Sequence, residues 1–90
     1  MEDFVGRISG LDSSAVCEVE GEYASVTGPL PCYDGNFDVP GEFVGEVKVG
    51  SEFILHIEGG PVLQIVIETG HYSGRGPSMV EFTGRGWPSA

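Results

Sequence analysis

Residues 52–69 read EFILHIEGGPVLQIVIET, and this stretch decides the fold class. Every second residue is a large apolar one on both sides of a Glu58-Gly59-Gly60-Pro61 turn. This pattern is typical of a β-hairpin with one buried face. The alternation predicts that these side chains point inward: Phe53, Leu55, Ile57, Leu63, Ile65 and Ile67.

The same alternation continues on both sides of the hairpin. Together with it, the pattern predicts six short strands, at residues 4–9, 16–26, 42–49, 52–58, 61–69 and 78–83. Two longer segments rich in Gly and Pro, residues 27–40 and 70–77, are predicted to be loops.

Composition favours strands throughout the chain. Its 15 glycines interrupt nearly every stretch long enough for a helix, and Val and Ile far outnumber Ala and Leu. A length of 90 residues is typical of one domain. We therefore expect an all-β protein, a small antiparallel barrel or sandwich with little or no helix. Residues 1–84 would form the single β domain and residues 85–90 a C-terminal tail.

The net charge of the chain disfavours some classes of binding partner. The chain holds 14 acidic and four basic residues, a net charge of −10, and most of the acids lie in its first half. So few bases cannot neutralise the phosphates of a nucleic acid or of an anionic membrane surface. No apolar run approaches the length of about 18 residues that a membrane span requires. The acidic N-terminal residues do not resemble a signal peptide, and we expect a cytoplasmic location.

The acidic residues include an alternating series. Glu18, Glu20 and Glu22 would project from one face of the second predicted strand, about 6.7 Å apart. That spacing is of the same order as the distance between successive phosphates. One interpretation is a solvated face that prevents strand edges from pairing. The other is a surface that imitates a phosphate backbone. The predicted partner-binding residues are Glu18, Glu20, Glu22, Asp34, Asp38, Glu42 and Glu46.

A metal site is a weaker interpretation of the same residues. Asp34, Asn36 and Asp38 alternate as the oxygen ligands of a calcium-binding loop do. The glycine and the final glutamate of that pattern are replaced here by Val39 and Gly45. An Asx-turn loop explains these residues better, so we expect neither a metal nor another cofactor.

Catalytic motifs are absent from the sequence. It contains no G-x-S-x-G, H-E-x-x-H or C-x-x-C pattern, and we expect no enzyme. His56 is expected to be a half-exposed strand residue. Three loop residues and one tail residue form a secondary candidate site, because glycine-rich loops can hold anions: His71, Tyr72, Arg75 and Trp87.

Small size, strong negative charge and the lack of catalytic motifs resemble the small acidic inhibitors that phages and mobile elements encode against host nucleic-acid enzymes. The resemblance implies an inhibitor, or an antitoxin-like or immunity-like protein, that docks carboxylates on a basic groove of a nucleic-acid-handling protein. One alternative is an assembly module that oligomerises or joins a larger complex through edge strands and Trp87. Another is a binder of a small anionic ligand or nucleotide at the 70–77 loop.

Overall fold

Six antiparallel strands close into a small barrel. The computed structural model describes residues 2–12, 14–26, 32–43, 45–71 and 78–86. The strand order is β1-β2-β3-β6-β5-β4, and β4 pairs back to β1. The prediction of an all-β fold is confirmed, and of the two expected architectures the barrel is the observed one. The strands are β1 (Glu2–Ser9), β2 (Ala15–Val26), β3 (Cys32–Val39), β4 (Glu52–Ile57), β5 (Val62–His71) and β6 (Ser78–Gly86).

The interior of the barrel is apolar, as the alternation predicts. The side chains predicted to point inward from β4 and β5 are all buried. Each such side chain stabilises the fold by about 1.5–3 kcal/mol relative to an exposed one. At the centre the rings of Phe37 and Phe82 lie 5.6 Å apart. The largest fully buried side chains are Phe37, Phe82, Ile8, Leu55, Leu63, Ile65, Ile67, Val39, Val47 and Val80.

Strand β3 corrects the expected loop at residues 27–40. Asp34, Gly35 and Asn36 are turn-forming residue types, yet they lie inside a strand that pairs with both β2 and β6. Phe37 and Val39 are fully buried, and their packing outweighs the local preference for a turn. The Asx turn expected at Asp34 is therefore wrong.

The segment between β3 and β4 corrects the strand expected at residues 42–49. It begins with a short 3-10 helix, Gly41–Phe43, and continues in turns. Local hydrogen bonds hold these turns, from the N–H of Phe43 to the Pro40 carbonyl at 2.9 Å and from the N–H of Ser51 to the Lys48 carbonyl at 3.0 Å. Val47 is buried, whereas Val49 is 56% exposed.

Two inward-facing glycines allow neighbouring strands to approach closely. A Cβ atom on Gly21 would collide with the carbonyl oxygen of Asn36 in β3. A Cβ atom on Gly35 would collide with the carbonyl oxygen of Glu22 and lie 2.9 Å from Cζ of Phe82. Glycine in a strand is typical of such tight bends in small barrels. These positions permit the curvature that brings β1, β2, β3 and β6 onto one convex surface.

Strand β6 extends two residues beyond residue 84, the predicted end of the β domain. Arg85 and Gly86 belong to β6, although residues 85–90 were expected to form a tail. Among the described residues, no helix has the length and apolar character needed to cross a membrane.

Candidate partner-binding site

Cross-strand pairing brings carboxylates from four neighbouring strands onto one outer surface. Asp3 of β1 lies opposite Glu22 of β2, and Glu20 of β2 lies opposite Asp38 of β3. Directly opposite residues have Cβ atoms about 4.5–5.5 Å apart. We call this surface the acidic face; its residues, all exposed, are Asp3, Glu18, Glu20, Glu22, Asp34, Asp38 and Glu81.

On β1, β2 and β3, the carboxylates of the acidic face have few basic neighbours among the described residues. Among the described residues they make neither an ion pair nor a side-chain hydrogen bond. Arg7 is the only base on these three strands and lies opposite Glu18. Like charges in direct opposition destabilise a sheet. The acidic face therefore costs folding free energy and presents a concentrated negative potential to solvent.

Shallow depressions lie between the carboxylates. Asp3, Glu20, Glu22 and Asp38 line one of them, around Asn36. A second depression, towards β6, is lined by Asp34, Glu68, Glu81 and Thr83. The acidic face is therefore continuous from β1 to β6, with carboxylates on the rims of both depressions.

The sequence did not point to three acidic residues of this region: Asp3 and Glu81 of the acidic face, and Glu68 beside it. Glu81 projects from β6 opposite Asn36, and Glu68 lies at an irregularity in the pairing of β5 with β6. Threonine hydroxyls donate to both, from Thr69 to Glu81 at 3.0 Å and from Thr83 to Glu68 at 2.8 Å. Glu81 alternates between the apolar Val80 and Phe82, so its outward direction was visible in the sequence. Its position beside β3 could not be predicted from the sequence.

Glu42 and Glu46 do not project from a strand, which corrects their predicted place on a strand at residues 42–49. Glu42 belongs to the 3-10 helix and Glu46 to the turn after it, and both are exposed. Burial, and then the charges of Glu46 and Glu42, raise the pKa of the Cys17 thiol. The negative charges of the two carboxylates are thus felt at Cys17, near the start of β2.

Asp34, Asn36 and Asp38 alternate along the outer surface of β3 and do not form a loop. Extended backbone spreads their side chains along the strand, about 6.7 Å from one to the next. The described part of the chain contains no group of His, Cys, Asp or Glu side chains arranged to hold a metal ion.

The secondary candidate site falls largely outside the described residues. Tyr72, Arg75 and Trp87 lie there, as does the side chain of His71. The described strands show only where the 72–77 segment and the C-terminal residues are attached to the barrel. Strand β5 ends and β6 begins at one end of the barrel, whereas β6 reaches Gly86 at the opposite end.

His56 is half-buried on the outer surface of β4, as expected, opposite Arg7. Its Nε2 atom lies 3.3 Å from the Ser9 hydroxyl. Cys17 and Cys32 are free thiols. Cys17 pairs with Ile8 at one end of β2, and Cys32 pairs with Val26 at the other. About 30 Å of strand separates these two positions, which is far beyond the reach of a disulfide.

Comparison of the chain with protein-family models, with curated proteins and with solved structures finds no match.

Proposed function

We propose that this protein is an inhibitor that docks its acidic face on a basic groove of a nucleic-acid-handling protein. The observation that carries the proposal is the pairing register, which gathers exposed carboxylates of four strands on one surface. Such a surface attracts a basic partner over distances of about a Debye length, roughly 10 Å at moderate salt. It would compete with the phosphates that normally occupy the groove.

Barrel closure supports this proposal over a purely protective role for the charges. No strand of the described barrel lies at a sheet edge, so the carboxylates have no edge to protect from pairing. They nevertheless oppose one another across β1, β2 and β3 at a cost in stability. A binding role gives a reason for keeping an arrangement that folding alone disfavours.

The assembly alternative has less support, because the closed barrel offers no edge strand to which a partner could add. The proposed partner handles nucleic acid, so we propose the cytoplasm as the place of action. The resemblance in size and charge to the small acidic inhibitors of phages and mobile elements points the same way.

The experiment compares three tagged proteins in lysate and then in a purified assay. The first is the wild type, and the second carries Glu18→Lys, Glu20→Lys and Glu22→Lys. The control carries Asp12→Lys, Val49→Lys, Glu52→Lys and Gln64→Lys, which makes the same change of net charge at positions that line none of the depressions of the acidic face. Proteins captured at low salt and released at high salt are identified and purified.

The purified partner is then loaded with labelled nucleic acid. We expect the wild type and the control to displace the nucleic acid, with an effect that weakens as salt rises. The variant changed at β2 is expected not to displace it. Equal displacement by both charge-changed variants, or none by the wild type, would contradict the proposal.

A further inference from the structure

One depression beside the acidic face has an apolar floor. It lies between β1, β2 and the turn after β3, and Val5, Pro40 and Gly41 line it together with Glu18, Glu20 and Asp38. Val5 is 49% exposed, although it occupies the middle of a strand. The depression thus combines apolar surface open to solvent with carboxylates on its rim.

Strand register fixes how these groups lie relative to one another. Val5 lies opposite Glu20, and Glu20 lies opposite Asp38, so the three residues form one row across the sheet. Glu18 is two residues before Glu20 on β2, and Pro40 is two residues after Asp38. The row places an apolar side chain at one end and two carboxylates, about 5 Å apart at Cβ, beside it.

We propose that this depression binds an arginine side chain of the basic partner. The inference rests on the proposed function, because it names an anchor within the same docking surface. The methylene stem of the arginine would pack on Val5 and Pro40, as long cationic side chains do on apolar surfaces. The guanidinium would donate hydrogen bonds to Glu20 and Asp38.

Arginine fits this depression better than lysine for two physical reasons. Its planar guanidinium presents several N–H donors in a fixed fork and can engage two carboxylates at once, whereas an ammonium is a compact point charge. It is also less strongly hydrated, so placing it beside an apolar floor costs less desolvation. Charge complementarity alone would attract both cations, so a preference for arginine is the distinguishing feature.

The test uses oligo-arginine and oligo-lysine peptides of equal length, with binding measured by calorimetry at low and at moderate salt. The informative variant is Val5→Ser, which leaves every charge in place. Val26→Ser is the matched control, because Val26 is also an exposed strand valine, 40% accessible, and lies outside the depression. We expect the wild type and the control to prefer oligo-arginine by about tenfold, a difference of about 1.4 kcal/mol.

In Val5→Ser this preference should fall to about twofold, because a polar floor removes the desolvation advantage of the weakly hydrated guanidinium, whereas the fork on Glu20 and Asp38 is kept. An unchanged preference in Val5→Ser would overturn the arginine anchor alone. The variant with Glu18, Glu20 and Glu22 changed to Lys tests the proposed function itself, separately from the arginine anchor. If that variant binds both peptides as tightly as the wild type, the acidic face is not the docking surface and the proposed function fails as well.

Discussion

Gly35 shows how one residue decides whether the barrel can close. A Cβ atom there would collide with the backbone of Glu22 and press against the Phe82 ring. We predict that Gly35→Ala lowers the free energy of unfolding by about 2 kcal/mol or more, which is typical of an overpacked core. Gly45→Ala is the control, since nothing lies within 4 Å of its Cβ position. Equal urea denaturation midpoints for the two variants would show that β2 and β3 do not approach this closely.

The Cys17 thiol carries a second prediction at the scale of a residue. Burial, followed by the charges of Glu46 and Glu42, raises its pKa, so less thiolate is present at a given pH. In a Cys32→Ser background, we expect iodoacetamide to modify Cys17 several-fold more slowly in the folded protein than in denaturant. Changing Glu42 and Glu46 to Gln should restore only part of the rate, because burial is the larger cause. Identical rates in the folded and denatured protein would contradict the placement of Cys17.

At the scale of an element, β2 carries charges that oppose folding. Glu20 lies opposite Asp38 and has Glu18 and Glu22 on the same face. We predict that Glu20→Gln raises the free energy of unfolding by about 0.5 kcal/mol, since it removes a like-charge opposition. Glu58→Gln, in the turn after β4, should change it much less. A loss of stability in Glu20→Gln, measured by thermal denaturation at low salt, would mean that this carboxylate has a stabilising contact.

The elements also show what the sequence can predict. Strands β4 and β5 were predictable because every second residue is a large apolar one, from Phe53 to Ile57 and from Leu63 to Ile67, on either side of a glycine turn. Strand β3 was not, because Asp34-Gly35-Asn36 carries a strong turn signal, which the burial of Phe37 and Val39 overrides. The segment after β3 is the opposite case, because a strand was predicted where the structure has turns. Its apolar residues alternate as in a strand, yet glycines 41, 45 and 50 divide it into turns.

The candidate site was predictable only in part, for a reason that belongs to the whole molecule. The outward direction of Glu18, Glu20 and Glu22 follows from their alternation with buried residues. Their convergence with Asp3, Asp38 and Glu81 depends on the order β1-β2-β3-β6, which places the last strand beside the third. Strand order is set by long-range packing, and no local pattern in the sequence records it.

Net charge gives a prediction for the whole molecule. A charge of −10 makes the folded barrel repel itself, and salt screens that repulsion. We expect the free energy of unfolding to rise by about 1 kcal/mol between about 10 mM and 300 mM NaCl. A variant with Glu18, Glu20 and Glu22 changed to Gln should show a smaller rise. A fall in stability on adding NaCl would indicate stabilising ion pairs that outweigh the repulsion.

The most direct test of the acidic face as a docking surface is an NMR titration of the isotope-labelled protein with an oligo-arginine peptide. Amide shifts would be followed residue by residue at moderate salt, where diffuse attraction is screened. We predict that saturable shifts concentrate on the strands of the acidic face, with the largest at Val5, Glu20 and Asp38, and that β4 moves little. Shifts of equal size around the whole barrel, or shifts centred on β4 and β5, would show that the acidic face is not the docking surface.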